Sequence, residues 1–313
     1  MLDVLGVMAP IFLLISLGFL SIQLRWLSSE DYLSLTSFVM KISFPCLLLT
    51  KLSVVDLTQH FRGDILLIFG ICSLFLALGS IQFFRRILGR EDPQATLQGG
   101  MGVSLSNNGF IGYPVLFLVF ASPPMTTYAT VLLVENLVML PLIIFLLNRA
   151  SASGQTAEGR NKMAIIRPIA TNPILIAVIA GMVVSLMPIN LPEPLILSLS
   201  LLGTAAAPLA LFAIGMALVR LPSIEEVTDI AWTGLGKLIL HPALVAISCF
   251  LFVDNFNDPD ICAVILLASS PMASLYPIFG ANYGSPDLTA STLSATTFLS
   301  LFTISGWILF LGI

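Results

Sequence analysis

The chain of 313 residues is 57% hydrophobic and only 10% charged, with a formal net charge of −4 and a mean hydropathy of +1.01. A soluble domain of this length needs about a quarter of its residues charged to cover its surface, so composition excludes a soluble globular protein. The charge distribution shows no basic patch of the kind that binds nucleic acid, and we expect no nucleic-acid partner.

Apolar segments recur along the chain, each long enough for the roughly 20 residues that cross a bilayer as a helix. We therefore predict an all-α integral membrane protein of ten transmembrane helices in the lipid bilayer. The first segment has no basic n-region and continues as a full-length span, so we expect it to stay in the membrane. The four cysteines fall in apolar segments at unrelated spacings, which favours packing over a disulfide or metal site. The predicted spans are 4–23, 32–51, 64–85, 95–119, 126–148, 169–187, 195–219, 230–253, 260–283 and 288–312.

The lysines and arginines outside the spans predict the orientation of the chain. If the N-terminus is outside, the outer loops hold only Lys51 and Arg62, and nine basic residues fall in the inner loops. Cytoplasmic loops carry the excess of positive charge. We therefore predict a multi-pass protein of the cell's inner (plasma) membrane with both termini outside.

The sequence repeats itself at an offset of 163 residues. The matched prolines are Pro10 with Pro173, Pro45 with Pro208, Pro114 with Pro277, and Pro123 with Pro286. Gly18 also matches Gly181. Each copy holds five spans, and because five is an odd number the copies enter the membrane from opposite sides. We therefore predict two inverted five-span repeats, residues 1–150 and 169–313, joined by a cytoplasmic connector at 151–168.

Span 4 contains "SNNGFIGYP" (106–114), which aligns with "SSPMASLYP" (269–277) in span 9. Proline lacks an amide proton and disfavours helix in the residue before it, and glycine weakens helix further, so both spans are predicted to break here. Two broken helices that meet near the midplane are typical of a transport site. The alternative is a pair of kinked helices whose polar side chains hold their neighbours together. The predicted hinge residues are Gly109, Gly112, Pro114, Pro271 and Pro277.

Five segments carry a family resemblance: "NNGFIGYPV", "AAPLALFAIGMAL", "KLILHPAL", "SSPMASLYPIFGANYG" and "STLSATTFLSLFTI". Together they resemble the auxin efflux carrier family, the bacterial relatives of plant PIN carriers, over essentially the whole chain. The resemblance implies the fold of bile acid:sodium symporters, in which spans 4 and 9 cross at their unwound centres. It also implies a scaffold unit of spans 1, 2, 6 and 7 and a transport unit of spans 3–5 and 8–10, and it leaves a homodimer open.

The same resemblance implies that polar residues of the two breaks contact an organic anion. Pro271 stands where the family pattern has a second asparagine, and the long cytoplasmic loop of plant carriers is absent. These departures favour a small mono- or dicarboxylate over an auxin-like acid. The predicted substrate-binding residues are Ser106, Asn107, Asn108, Tyr113, Ser269, Ser270 and Tyr276.

Polar residues inside other spans are candidates for a coupling site. An ionised carboxylate in the membrane needs a partner, a proton or a cavity, so Glu135 is the leading candidate. Asn136 beside it is a candidate ligand of sodium, and Lys41 would attract a carboxylate. His241 is a further candidate because an unperturbed histidine titrates near neutral pH. The alternatives are structural: Glu135 pairs with Lys41 or with Lys237, and His241 is a hydrogen-bonded packing residue.

These patterns predict a secondary carrier that moves a small organic anion by alternating access, with no cofactor. Bile acid symporters have a carboxylate in the second broken span, where this chain has only Asp260 near the span's end, and this favours a proton over sodium as the coupling ion. A sodium-coupled symporter and a receptor with the same fold are the alternatives. An enzyme is disfavoured because no HExxH pair, no pair of intramembrane aspartates and no serine motif with a base is present.

Overall fold

The computed structural model describes residues 2–54, 62–90, 92–151, 171–187, 191–217, 227–253, 258–283 and 285–313. The predicted connector at 151–168 lies outside these ranges apart from Ser151. In the described residues, helices occupy all ten ranges that hydropathy marked as spans. They are α1 (Leu2–Gln23), α2 (Ser29–Phe38, Val39–Ser43 and Phe44–Leu52), α3 (Gly63–Arg86), α4a (Pro93–Thr96 and Leu97–Gly102), α4b (Asn108–Gly112 and Tyr113–Val119), α5 (Met125–Leu133, Val134–Met139 and Leu140–Ser151), α6 (Pro173–Leu186), α7 (Glu193–Thr204 and Ala206–Ala217), α8 (Val227–Leu235, Gly236–Leu240 and His241–Phe252), α9a (Pro259–Ser269), α9b (Tyr276–Asn282) and α10 (Pro286–Leu311).

Six of these helices are long and apolar enough to cross a membrane by length and composition. The remaining apolar segments are shorter and belong to α1, α4b, α6 and α9a. The protein is therefore an all-helical, multi-pass membrane protein. The six long segments are Glu30–Leu52, Gly63–Arg86, Met125–Ala150, Glu193–Met216, Val227–Phe252 and Pro286–Leu311.

Four helices widen into a π-helical turn just before a proline. A proline ring collides with the carbonyl of the residue four positions earlier and offers no amide proton, and a wider turn accommodates both defects. Three of these turns carry the charged residues Lys41, Glu135 and Lys237. The prolines therefore place these charges on turns that depart from regular helical spacing. The turns are Val39–Ser43 before Pro45, Asn108–Gly112 before Pro114, Val134–Met139 before Pro141 and Gly236–Leu240 before Pro242.

The helix contacts fall largely into two sets. In the first set, α1 packs along the second half of α7, and α6 packs against the last part of α2. In the second set, α3 contacts α4a, α5 and α8, and α9a contacts α5, α8 and α10. Fewer residues join the sets, chiefly where α7 meets α4b and α2 meets α5. The division into a scaffold unit and a moving transport unit stays a prediction.

Two glycines separated by the predicted offset both lie at helix contacts of the first set. A Cβ added to Gly18 in α1 would lie 1.9 Å from the carbonyl oxygen of Phe212 in α7, so only glycine fits there. A Cβ added to Gly181 in α6 would lie 2.9 Å from Leu52 Cβ and 3.4 Å from the carbonyl oxygen of Leu49 in α2. Gly181 is 163 residues after Gly18, and Phe212 is 163 residues after Leu49. The two contacts are therefore related by the offset that relates the prolines.

Candidate transport site

The fourth and ninth helices are both interrupted, and their interruptions touch. Residues 105–107 separate α4a from α4b, and residues 270–275 separate α9a from α9b. Ser106 and Met272 form an antiparallel β-bridge, and the amide of Asn107 donates to the carbonyl of Pro271 at 2.7 Å. A second backbone hydrogen bond of 3.1 Å joins the same two segments. The main-chain groups that the breaks release thus satisfy one another, as a low-dielectric interior requires.

The predicted hinge residues flank this crossing. Gly109 and Gly112 lie in the π-helical turn that begins α4b, and Pro114 follows that turn. Pro271 lies in the second break and Pro277 is the second residue of α9b. Gly112 is the most constrained: an added Cβ would lie 2.4 Å from Asn108 Oδ1 and 3.1 Å from Ser270 Oγ.

Glu135 binds the first break through both of its carboxylate oxygens. Oε1 accepts the amide proton of Ser106 at 2.9 Å, and Oε2 accepts from Asn108 Nδ2 at 3.0 Å. Tyr128 on the same helix donates its hydroxyl to the carbonyl of Asn108 at 3.0 Å. Helix α5 therefore fixes the position of the break, and Glu135 is 5% exposed.

Lys237 lies on the opposite side of Ser106 and is fully buried. Its Nζ donates to Ser106 Oγ at 2.7 Å and to the carbonyl of Ala268 at 2.8 Å, and lies 2.8 Å from His241 Nδ1. His241 Nε2 is in turn 3.0 Å from Ser73 Oγ on α3. A hydrogen-bonded chain thus runs from α3 through α8 and the first break to Glu135.

This series of hydrogen bonds links Glu135 to Lys237 and not to Lys41. Lys237 reaches the carboxylate through Ser106, without direct contact, whereas Lys41 is exposed on α2. His241 has partners on both ring nitrogens and is fully buried. With Lys237 in its ammonium form Nζ carries only donors, so Nδ1 would accept and the ring proton on Nε2 would face the Ser73 hydroxyl.

A cavity of about 450 Å³ lies beside the crossing, between the two sets of helices. Seven residues singled out in the sequence line it: Ser106, Asn107, Asn108, Gly109, Glu135, Asn136 and Pro277. Among the described residues, the following predicted site and hinge residues do not line it: Lys41, Gly112, Tyr113, Pro114, His241, Ser269, Ser270, Pro271 and Tyr276. Each break contributes three lining residues, and the start of α4b adds Asn108, Gly109 and Phe110.

The two tyrosines of the matched motifs are packed within the protein. Tyr276 is fully buried and donates its hydroxyl to Gln98 Oε1 at 2.6 Å. The ring of Tyr113 packs against Phe44 and Tyr128, with ring centroids 6.0 Å and 5.5 Å away. Ser269 Oγ donates to the carbonyl of Leu266 at 2.7 Å, and Ser270 Oγ is buried without a hydrogen-bond partner in the described residues.

Sequence reasoning missed the polar residues that other helices bring to the cavity. Tyr32 and Thr36 on α2 line it at helical spacing, and their polar character in an apolar span was a usable signal. Asn172, the N-cap of α6, also lines the cavity and donates to Asn136 Oδ1 at 3.0 Å. Ser274 comes from the second break. The wall formed by α2 and α6 thus brings polar side chains to the cavity beside the apolar Leu33, Met40 and Ile174.

The family model described as "Membrane transport protein" matches residues 3–308. A Rhizobium meliloti (strain 1021) protein named "Putative malonate transporter" is 29% identical over 313 residues, which cover 98% of this chain and 95% of that protein. An "Uncharacterized transporter" of Methanothermobacter thermautotrophicus is 26% identical over 304 residues, with 95% of each chain covered. "Uncharacterized transporter YfdV" of Escherichia coli (strain K12) is 22% identical over 279 residues, which cover 86% of this chain and 85% of that protein. Because the model spans nearly the whole sequence, the chain belongs to the membrane transport protein family, and the resemblance to auxin efflux carriers is confirmed.

Proposed function

We propose that this protein is a secondary carrier of a small organic anion, with malonate as the first substrate to test. The observation that carries the proposal is the cavity itself. It lies where both broken helices meet the rest of the bundle, and its volume of about 450 Å³ is sufficient for a small dicarboxylate. The name of the Rhizobium meliloti relative supports a malonate-like substrate.

An anion in this cavity meets the start of α4b. The first amides of a helix have no intrahelical acceptors and carry partial positive charge, which suits a carboxylate. Asn107 caps this helix by accepting the amide proton of Phe110 on Oδ1 at 3.2 Å. Its Nδ2 has no acceptor in the described residues, and Asn107 lines the cavity. We assign this amide nitrogen to the substrate carboxylate.

Glu135 couples the anion to a proton. An ionised Glu135 in the cavity wall repels an anionic substrate, whereas a protonated Glu135 does not. Protonation also turns one carboxylate oxygen from an acceptor into a donor, which releases either Ser106 N or Asn108 Nδ2 from its present bond. The released group then donates to the substrate. Proton and anion therefore bind cooperatively, and each raises the affinity for the other by the same factor.

Alternating access requires the two sets of helices to move against each other around the cavity. The related contacts of Gly18 and Gly181 support two inverted repeats, and the sparse contacts between the sets support a scaffold of α1, α2, α6 and α7. We propose the orientation given by the basic loops, with both termini outside.

Proteoliposomes test the carrier function directly. Purified protein is reconstituted and the uptake of labelled malonate, malate, indole acetate and an amino acid is measured with a proton gradient, a sodium gradient or neither. We expect uptake of a dicarboxylate driven by the proton gradient. Tight binding of an anion with no uptake under any gradient would contradict the carrier and favour a receptor.

The Asn107→Asp variant tests the assigned contact. Aspartate keeps an oxygen that caps the amide of Phe110, but it replaces the Nδ2 donor with a negative oxygen. We expect the KM for malonate to rise at least tenfold, corresponding to about 1.4 kcal/mol or more, with little change in thermal stability. Asn107→Ser, which also retains a capping oxygen, should give a smaller rise because it adds no charge. An unchanged KM in both variants would remove Asn107 from the binding site.

A further inference from the structure

We propose that the Lys237 ammonium is the resident cation of the crossing, and that it makes transport independent of sodium. This inference rests on the proposed carrier function and names the determinant of its ion dependence. The evidence is the set of atoms that surround Nζ.

The Nζ atom of Lys237 has three hydrogen-bond partners. They are Ser106 Oγ at 2.7 Å, the carbonyl of Ala268 at 2.8 Å and His241 Nδ1 at 2.8 Å. Two of these groups accept from Nζ, and His241 Nδ1 accepts in the tautomer that carries its proton on Nε2, so a protonated lysine is fully satisfied at this buried position. The acceptors come from the first break, from the last turn of α9a and from α8. One ammonium group on α8 therefore contacts both broken helices at the crossing.

The surroundings of Nζ are those of a cation site. Ala268 lies in the last turn of α9a, where unpaired carbonyls give the helix end partial negative charge. Ser106 links Nζ to the carboxylate of Glu135: its hydroxyl oxygen accepts from Nζ, and its amide donates to Glu135 Oε1. A cation at this position is thus attracted by a helix terminus and by a buried carboxylate. A mobile metal ion would need the oxygens that Nζ already occupies, and it would be repelled by the ammonium.

The other candidate ligand of sodium is also occupied. Asn136 Oδ1 accepts from Asn172 Nδ2, and Asn136 Nδ2 donates to the carbonyl of Leu132 at 2.8 Å. The titratable groups that face this network are Glu135 and Tyr128 on α5 and His241 on α8. Among them and the cavity-lining residues of the described chain, Glu135 is the one carboxylate. Because the Lys237 ammonium supplies the positive charge that balances the Glu135 carboxylate, no sodium ion is required at this site.

Two measurements on the wild-type protein test the inference, each made in sodium chloride and in choline chloride at equal concentration. We expect the rate of malonate uptake and the thermal unfolding midpoint to be the same in both salts. The third measurement uses Lys237→Ala, in which the three acceptors and a cavity are left empty. We expect its uptake in choline to fall at least tenfold and its unfolding midpoint to rise on addition of n-propylammonium chloride.

Lys51→Ala is the control, since Lys51 is an exposed lysine at the end of α2 that belongs to none of the predicted site residues. Uptake by this control should be the same in sodium chloride and in choline chloride, and it should stay near the wild-type rate. If Lys237→Ala does not fold, Lys237→Met replaces it for the uptake measurement, where its tenfold loss is again expected. Wild-type uptake that requires sodium, or a Lys237→Met carrier as fast as wild type, would overturn the inference. Absence of anion uptake by the wild type would instead contradict the carrier function, and the salt dependence of unfolding would still test the cation site.

Discussion

Glu135→Gln is expected to abolish the accumulation of substrate driven by a proton gradient while retaining exchange of substrate across the membrane. Glutamine keeps an oxygen that accepts the amide proton of Ser106, but it neither binds nor releases a proton. Without a titratable group in the cavity wall, binding of the anion no longer depends on pH. We expect gradient-driven accumulation to fall at least tenfold, and counterflow between labelled and unlabelled malonate to continue.

The sign of the pH effect follows from the charge of the cavity. In the wild type, acidification neutralises Glu135 and removes repulsion of the anion, so the affinity for malonate rises as the pH falls. In Glu135→Gln no carboxylate of the cavity wall can ionise, so the affinity no longer falls as the pH rises and exceeds that of the wild type at high pH. Malonate binding measured across pH distinguishes the variants, and Glu193→Gln at the exposed start of α7 is the control. A variant that still accumulates malonate under a proton gradient would remove Glu135 from the coupling step.

The sequence predicts the positions of the helices and of their breaks because both depend on local chemistry. Runs of apolar residues mark the helices, and the segments around Gly109 and Pro271 mark the interruptions. The direct pairing of the two breaks does not follow from those segments. It depends on the β-bridge between Ser106 and Met272, which joins residues from different halves of the chain.

The side chains that face the cavity are less predictable than the helices that carry them. Lys41 and Lys237 are both lysines inside apolar spans, and both precede a proline, yet one is exposed and the other is buried. The π-helical turns add a residue to the turn and rotate the side chains that follow, so regular helical spacing does not give the correct face. Tyr113 and Tyr276 show the same limit, because their neighbours on other helices determine where each ring packs.

Gly215→Ala is expected to cause the largest loss of stability among single-methyl additions to α7. A Cβ at Gly215 would lie 1.9 Å from the carbonyl oxygen of Ile15 and 2.8 Å from the amide nitrogen of Phe19, both backbone atoms of α1. A backbone cannot rotate away as a side chain can, so α1 and α7 must separate. Adding volume to a packed interior costs about 1–3 kcal/mol, and a clash with backbone lies at or above the upper end. The thermal unfolding midpoint in detergent measures this loss.

Gly79→Ala in α3 and Gly306→Ala in α10 are the matched controls, because no heavy atom lies within 4 Å of an added Cβ at either position. Alanine is favoured over glycine in a helix by up to about 1 kcal/mol, so these variants should be as stable as the wild type or more stable. Control variants as unstable as Gly215→Ala would show that the loss does not come from the contact between α1 and α7.

Combining Gly215→Ala with Gly18→Ala distinguishes a fixed scaffold from a sliding one. Both glycines lie at the same contact between α1 and α7, so once one methyl group has separated the helices the second costs little. We expect the double variant to lose much less stability than the sum of the single losses, and molecules that remain folded to keep the wild-type KM for malonate. If the contact between α1 and α7 slides during transport, the added methyl groups obstruct that movement. Uptake by the double variant in proteoliposomes would then fall even in lipids that raise its unfolding midpoint to that of the wild type. Uptake per folded molecule therefore decides whether α1 and α7 move together as one rigid part of the carrier.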